Sequence, residues 1–276
     1  MIVSTLLLSV LLVAAPPTPT NEALINQLPQ CQELATCGAV QTLRKRGKKA
    51  LPALLKGLKH EQEFVRFWVC GILSLDTPKK AFKPLIGVLN DQQPRIRGAA
   101  AFALGNYRNK RATSALLVAL ADEDPNVRIM AAMALGMIAD PISVPGLMKA
   151  LRDKDEDVRG LSAVALGDIG DPRAVTRLLE RLREDLNKDV RAMTCIALGN
   201  LGSKDATSTM IRALQKDPTE LVRAECALAL GTLGDRSARN ALVAAVNGDR
   251  SDDVRRAAKE AIKRLDPAKD DPKTSP

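Results

Sequence analysis

The sequence predicts an all-α solenoid, a row of about seven helical hairpins stacked side by side. Three observations carry this. A Val-Arg or Ile-Arg pair recurs at Val65-Arg66, Ile96-Arg97, Val127-Arg128, Val158-Arg159, Val190-Arg191, Val222-Arg223 and Val254-Arg255, with steps of 31, 31, 31, 32, 32 and 32 residues between the arginines. Eight residues after the arginine stands a glycine in five of the seven units (Gly105, Gly136, Gly167, Gly199, Gly231), while Ser74 and Lys263 take that place in the first and last. No stretch alternates apolar and polar residues with period two, so no strand is expected. A fixed period of this length marks a repeat architecture, in which each unit buries its apolar face against its neighbours.

Residues 1–20 stand apart. Residues 2–15 form a largely apolar run, followed by a proline-rich polar stretch. The run is shorter than the roughly 20 residues a membrane-spanning helix needs. It fits the core of a secretory signal peptide, with Val13, Ala14 and Ala15 offering small residues for cleavage. The features against it are the lack of any Lys or Arg before Arg44 and the proline at Pro16. Export is the expectation, and a retained hydrophobic tail is the alternative.

Residues 21–58 read as a helical cap with a degenerate hairpin at 39–58. Two of the five cysteines, Cys31 and Cys37, lie here, outside the repeats. A continuous helix would hold them ~9 Å apart, too far to bridge. A disulfide between them requires the helix to break around Ala35 and Thr36, and the sequence leaves the matter open.

Residues 59–266 hold the repeats. In the unit "DPNVRIMAAMALG", Asp124 is a good N-cap and Pro125 a good first helical residue. Val127, Ala131, Ala134, Leu135 and Ile138 then mark one helical face. Ala139, Asp140 and Pro141 break the helix, and Val144, Leu147, Met148 and Leu151 mark a second. Gly136 is expected to let the paired helix approach closely. Arg128, with Asp122 and Asp124 just upstream, is expected to bond the acidic turn of its own or a neighbouring unit. Arg66, Arg97, Arg128, Arg159, Arg191, Arg223 and Arg255 would then form a structural ladder. Cys70, Cys195 and Cys226 occupy small-residue positions and read as buried core residues. Residues 267–276 lack apolar anchors and read as a disordered tail.

The stretches "DPNVRIMAAMALGMIADPISVPGLMKAL" and "DEDVRGLSAVALGDIGDPRAVTRLLERL" resemble HEAT repeats of the short type first noted in phycobilisome lyases. The resemblance implies a right-handed α-solenoid and makes chromophore-lyase activity conceivable. It does not dictate an activity, because such repeats serve many roles.

Composition narrows the chemistry. His60 is the only histidine, which excludes His-rich metal sites and weakens any Ser–His or Cys–His pair. The run Asp153, Asp155, Asp157 opens like a calcium loop, but Val158 and Val164 stand where that loop needs glycine and glutamate. No nucleotide-binding motif is present. No cofactor and no catalytic residue are therefore expected.

Charge and aromatics are concentrated at one end. Residues 41–111 carry a net +12 and residues 112–276 a net −1. Phe64, Phe67, Trp68, Phe82, Phe102 and Tyr107 are the chain's six aromatics. Two readings stand: large residues seal the first hairpins and charges keep them soluble, or basic and aromatic side chains form a binding surface. For the second, the candidates are Arg44, Lys45, Arg46, Lys48, Lys49, Phe67, Trp68, Lys79, Lys80, Lys83 and Tyr107, with the two basic groups and Trp68 sharing one surface. The expected function is an exported, non-enzymatic scaffold that binds another protein in the periplasm or cell envelope, without a membrane span in the mature chain. The alternatives are a chromophore-lyase-like enzyme or accessory, and an anion or nucleic-acid binder acting through the N-terminal repeats. Export disfavours nucleic acid.

Overall fold

Each repeat is a long helix followed by a short one, and an arginine near the start of the long helix ties most repeats to the next. The computed structural model describes residues 18–266, and these contain sixteen α-helices and no strand. The first three are α1 (Asn21–Gln27), α2 (Gly38–Arg46) and α3 (Leu51–Gly57). Long and short helices then alternate: α4 (Glu63–Asp76), α5 (Phe82–Val88), α6 (Pro94–Asn106), α7 (Thr113–Ala119), α8 (Pro125–Ile138), α9 (Val144–Ala150), α10 (Glu156–Ile169), α11 (Val175–Glu184), α12 (Lys188–Leu201), α13 (Thr207–Lys216), α14 (Glu220–Leu233), α15 (Arg239–Gly248) and α16 (Asp252–Leu265). The stretch 39–58 forms the hairpin of α2 and α3. The signal-peptide reading of residues 1–20 falls largely outside the described residues, as does the tail reading of 267–276.

The local causes are visible. Asp124, Asp155 and Asn187 each accept the backbone N–H groups two and three residues on, which satisfies donors the first helical turn leaves open. Three long helices end on glycines at φ +72°, Gly170, Gly202 and Gly234, a conformation that favours glycine. A short 3₁₀ turn, such as Pro141–Ser143, then leads into the short helix.

The long helices stack directly on one another in chain order, from α4 to α16, while the short helices touch less. The glycines explain the closeness. A Cβ placed on Gly167 would lie 2.6 Å from the Cα of Ala197, and one on Gly231 would lie 2.6 Å from the Cα of Ala261. Gly105, Gly136 and Gly199 face Ala134, Ala165 and Ala229 in the same way. This corrects one expectation: the glycine admits the long helix of the next repeat, not the helix paired with its own. The alanine it receives stands six residues after the next arginine.

The arginines join the same neighbours. Nε and Nη2 of Arg66, Arg97, Arg128, Arg159, Arg191 and Arg223 donate to both carboxylate oxygens of Asp91, Asp122, Asp153, Asp185, Asp217 and Asp249, at 2.7–3.0 Å. Nη1 turns back to its own repeat, where Arg128, for example, donates to the carbonyls of Asp122 and Glu123. Each guanidinium thus bonds both its own turn and the next. Arg255 instead donates to Asp252 and to the Asp249 carbonyl.

The cysteines need a second correction. Cys195 on α12 and Cys226 on α14 are fully buried, as core residues would be, but they form a disulfide with Cα atoms 5.0 Å apart. They stand four and three residues after Arg191 and Arg223, adjacent positions in the repeat that the stacked helices bring face to face. Cys31 and Cys37 are also bridged, Cα atoms 5.5 Å apart, and the chain between them is not helical. Cys70 is a free, buried thiol.

Two outcomes are expected. Gly167→Ala should lower unfolding free energy by about 1–3 kcal/mol through overpacking, although alanine is the better helix former. Gly98→Ala, whose nearest neighbour would be the Met130 side chain at 3.5 Å, should be neutral or stabilising by up to about 1 kcal/mol; urea denaturation of both variants decides. The second outcome concerns pH. Burial pushes up the carboxyls of Asp91, Asp122, Asp153, Asp185 and Asp217, but the arginine and backbone N–H bonds outweigh it and hold each below its ordinary value. For Asp249 the Arg223 hydrogen bond is the larger effect and burial opposes it, with the same net lowering. A carboxyl depressed in the folded state contributes stability above its unfolded pKa and loses it as pH falls through the folded one. Unfolding free energy should therefore hold from neutrality to about pH 4 and fall below it. Arg128→Ala, which strands Asp153, should cost about 3–5 kcal/mol at neutral pH; a loss below 1 kcal/mol would contradict the ladder's role.

Candidate binding face

The long helices turn one further face away from the short ones. Residues −2, +2, +5 and +9 relative to the repeat arginine fall there, as 3.6-residue periodicity requires. On α6 these include Arg95, Ala99 and Phe102, and on α8 Asn126, Met130 and Met137, all half-buried or exposed. On α4 they include Phe64 and Leu75, both exposed, with Phe67 beside them at +1, whereas the +2 residue, Trp68, is buried.

A groove of about 800 Å³ runs across α4, α6 and α8 on this face. Its walls include Phe67, Leu75, Phe102 and Met130. The cause is a departure from the repeat. Ser74 stands where the next five repeats have glycine, and α4 and α6 make the least extensive contact of any consecutive long pair. The larger side chain holds the helices apart, and the Ser74 hydroxyl is turned onto the Gly71 carbonyl at 2.7 Å. Leu34, carried by the disulfide-closed loop 31–37, packs on Gly71 and walls one end. Arg95 supplies the charge: its guanidinium carbon lies 4.1 Å from the Phe67 ring centroid and 5.5 Å from that of Phe64. Methionines continue the apolar strip, since Met130, Met137 and Met193 lie over glycines of the preceding helix, Gly98, Gly105 and Gly160. Thioether side chains adapt to varied partner shapes.

The candidate residues do not share one surface. Phe67 lines the groove. Trp68 is buried in the core, its ring set edge-on to Phe67 at 5.6 Å, so it is not a partner contact. Tyr107 is half-buried, packs on Phe82 and donates its hydroxyl to the Pro78 carbonyl at 3.1 Å, which ties two turns together. Arg44 pairs with Asp76 at 3.0 Å. Arg46 donates to Asn21 and to the Pro19 carbonyl. Lys45, Lys48, Lys49, Lys79, Lys80 and Lys83 are exposed, with the last five at or beside the turns that precede short helices. The basic groups and Trp68 therefore lie on different parts of the molecule.

Sequence reasoning missed Leu34, Leu75, Arg95, Phe102 and Met130 as site residues. A signal existed for Phe102. The fifth residue after the arginine, off the core face, is apolar in Phe102, Met133, Val164, Ile196 and Leu228.

The remaining polar groups have structural roles. Among the described residues no group of three His, Cys, Asp or Glu side chains is placed to hold a metal ion. His60 accepts the Gln62 N–H at Nδ1. In the run that resembled a calcium loop, Asp153 binds Arg128 and Asp155 caps α10. Burial pushes the Cys70 thiol up to about 12, which makes it a poor nucleophile.

The model of the HEAT-repeat family matches this chain over residues 51–125, 82–166, 115–193 and 175–263. The chain belongs to the HEAT-repeat family. No curated protein matches it. Among solved structures, the HEAT repeats are similar to the complex of CpcE and CpcF of phycocyanin lyase from Nostoc sp. PCC7120, at 22% identity and a TM-score of 0.53, covering 77% of this chain and 93% of that one. They are also similar to Escherichia coli YibA, at 20% identity and a TM-score of 0.53, covering 85% and 99%. An engineered protein matches at 19% identity and a TM-score of 0.52, covering 88% and 78%. At these identities the likeness carries the fold alone.

Proposed function

We propose that this HEAT-repeat protein is an exported, non-catalytic scaffold that holds an apolar, acid-bearing segment of another protein in the groove across α4, α6 and α8. The observation that carries the reading is the groove itself. Leu75 is exposed and Phe67 and Phe102 are half-buried along its walls, and Arg95 offers a cation at the same place. Aromatic and arginine side chains around a desolvated pocket are the usual centres of binding energy. Export to the periplasm or cell envelope is supported by the apolar run at residues 2–15 and by two cysteine pairs in bridging geometry, since disulfides persist in oxidising compartments. Among the described residues no helix is long and apolar enough to cross a membrane.

Phe102→Asp tests the groove. Wild type should capture a defined partner from a native envelope extract, and the variant should lose at least tenfold in affinity for that partner (about 1.4 kcal/mol or more) with its unfolding midpoint unchanged. Equal capture by both would sink the scaffold reading. An absorbance change on adding a tetrapyrrole, abolished by the same substitution, would replace it with a chromophore-handling one.

Thiol labelling tests export. Chain recovered from its native cell and denatured without reductant should label once, at Cys70. Labelling at all five cysteines would place the protein in a reducing compartment.

A further inference from the structure

The excess positive charge of residues 41–111 lies along one edge of the stack. The 3₁₀ turns Gly47–Lys49, Lys79–Ala81 and Lys110–Ala112 occupy the same place in successive hairpins. Their basic pairs, Lys48-Lys49, Lys79-Lys80 and Lys110-Arg111, follow at steps of 31 residues. Two contacts hold the turns side by side. Arg44 at the end of α2 binds Asp76 at the end of α4, and Tyr107 beyond α6 donates to the Pro78 carbonyl. Adjacent turns are thus about one helix spacing apart, ~10 Å.

The charge is uncompensated. In three of the four later hairpins Asp140, Asp171 and Asp235 cap the equivalent turns, and Ser203 stands at the fourth. In the first three, Arg46, Pro78 and Asn109 stand there instead. Among the described residues, none of the six basic side chains has a hydrogen-bond or carboxylate partner.

We propose that this turn edge docks on an anionic lipid membrane, its paired lysines lying against the headgroups. Three features choose lipid over nucleic acid or an acidic protein. Five of the six cations are lysines, point charges that suit a diffuse negative surface more than bidentate readout. No exposed aromatic accompanies them to stack on bases, because Tyr107 is tied down against Phe82. The next turn continues the row with Ile142, 69% exposed, an apolar side chain placed where lipid would receive it. The described chain also starts at this edge: Arg46 holds the Pro19 carbonyl at 2.6 Å and Asn21 donates to the Lys49 carbonyl at 2.8 Å.

The test is flotation of the chain as recovered from its cell, its N-terminus read by mass spectrometry. The vesicles are phosphatidylcholine alone, or phosphatidylcholine and phosphatidylglycerol in equal parts. Each lysine near an anionic surface contributes about fivefold in affinity. Lys79→Gln with Lys80→Gln should therefore weaken binding to anionic vesicles roughly 25-fold. Lys204→Gln with Arg236→Gln, at the same turn positions in distant hairpins, should leave it unchanged. Equal binding to neutral vesicles, or equal loss in the two double variants, would overturn the proposal. So would retention of the wild type on DNA or heparin without flotation on anionic vesicles.

Discussion

One guanidinium per repeat grips two repeats at once. Its Nε and Nη2 lie flat on the aspartate of the following turn, and its Nη1 closes the turn from which its own helix springs. The aspartate is equally committed. Asp122 takes Arg97 on its carboxylate, accepts the Asp124 N–H, and lends its carbonyl to Arg128. The rungs therefore form one chain of hydrogen bonds from Arg66 to Asp249. Only arginine can do this, since lysine lacks the planar fork. The ion pair itself adds little net energy once desolvation is counted. Its worth lies in register, because a hairpin shifted by one residue would leave a half-buried charge alone.

The glycine–alanine contacts set the distance over which the rungs can form. With a Cβ in place of the glycine hydrogen, the long helices would have to separate, though the Arg66–Asp91 rung beside Ser74 keeps both of its bonds. Ser74 shows the consequence at the one position where the pattern lapses between two full repeats. α4 stands off α6, the apolar side chains beside it lose their cover, and a groove opens. The same residue that weakens a packing contact thus creates the surface available to a partner.

Most of this architecture was legible because it repeats. Arg128 and Gly136 announce their roles by recurring, and a recurrent residue in a solenoid faces its copies. What does not recur was harder to place. Trp68 and Phe67 are adjacent, yet 100° of helical turn separates a side chain in the core from one in the groove, and a small rotation of α4 decides between them. Cys195 and Cys226 look like two small residues when each is compared with its repeat equivalents. Their offset of one residue from a full repeat, on neighbouring helices, is what makes them partners.

A solenoid confines the cost of such departures. Each hairpin contacts only its neighbours, so a weakened interface lowers stability locally and leaves distant rungs intact. The first hairpins also lie beyond the arginine–aspartate series: the contact upstream of α4 uses Arg44 and Asp76, both well exposed, in place of a buried rung. Ser74, three of the turns without a capping aspartate and the exposed Phe64 and Leu75 fall at this end of the stack. Sequence drift would scatter such changes over all faces. Here the apolar changes share the long-helix face and the basic ones share the turn edge.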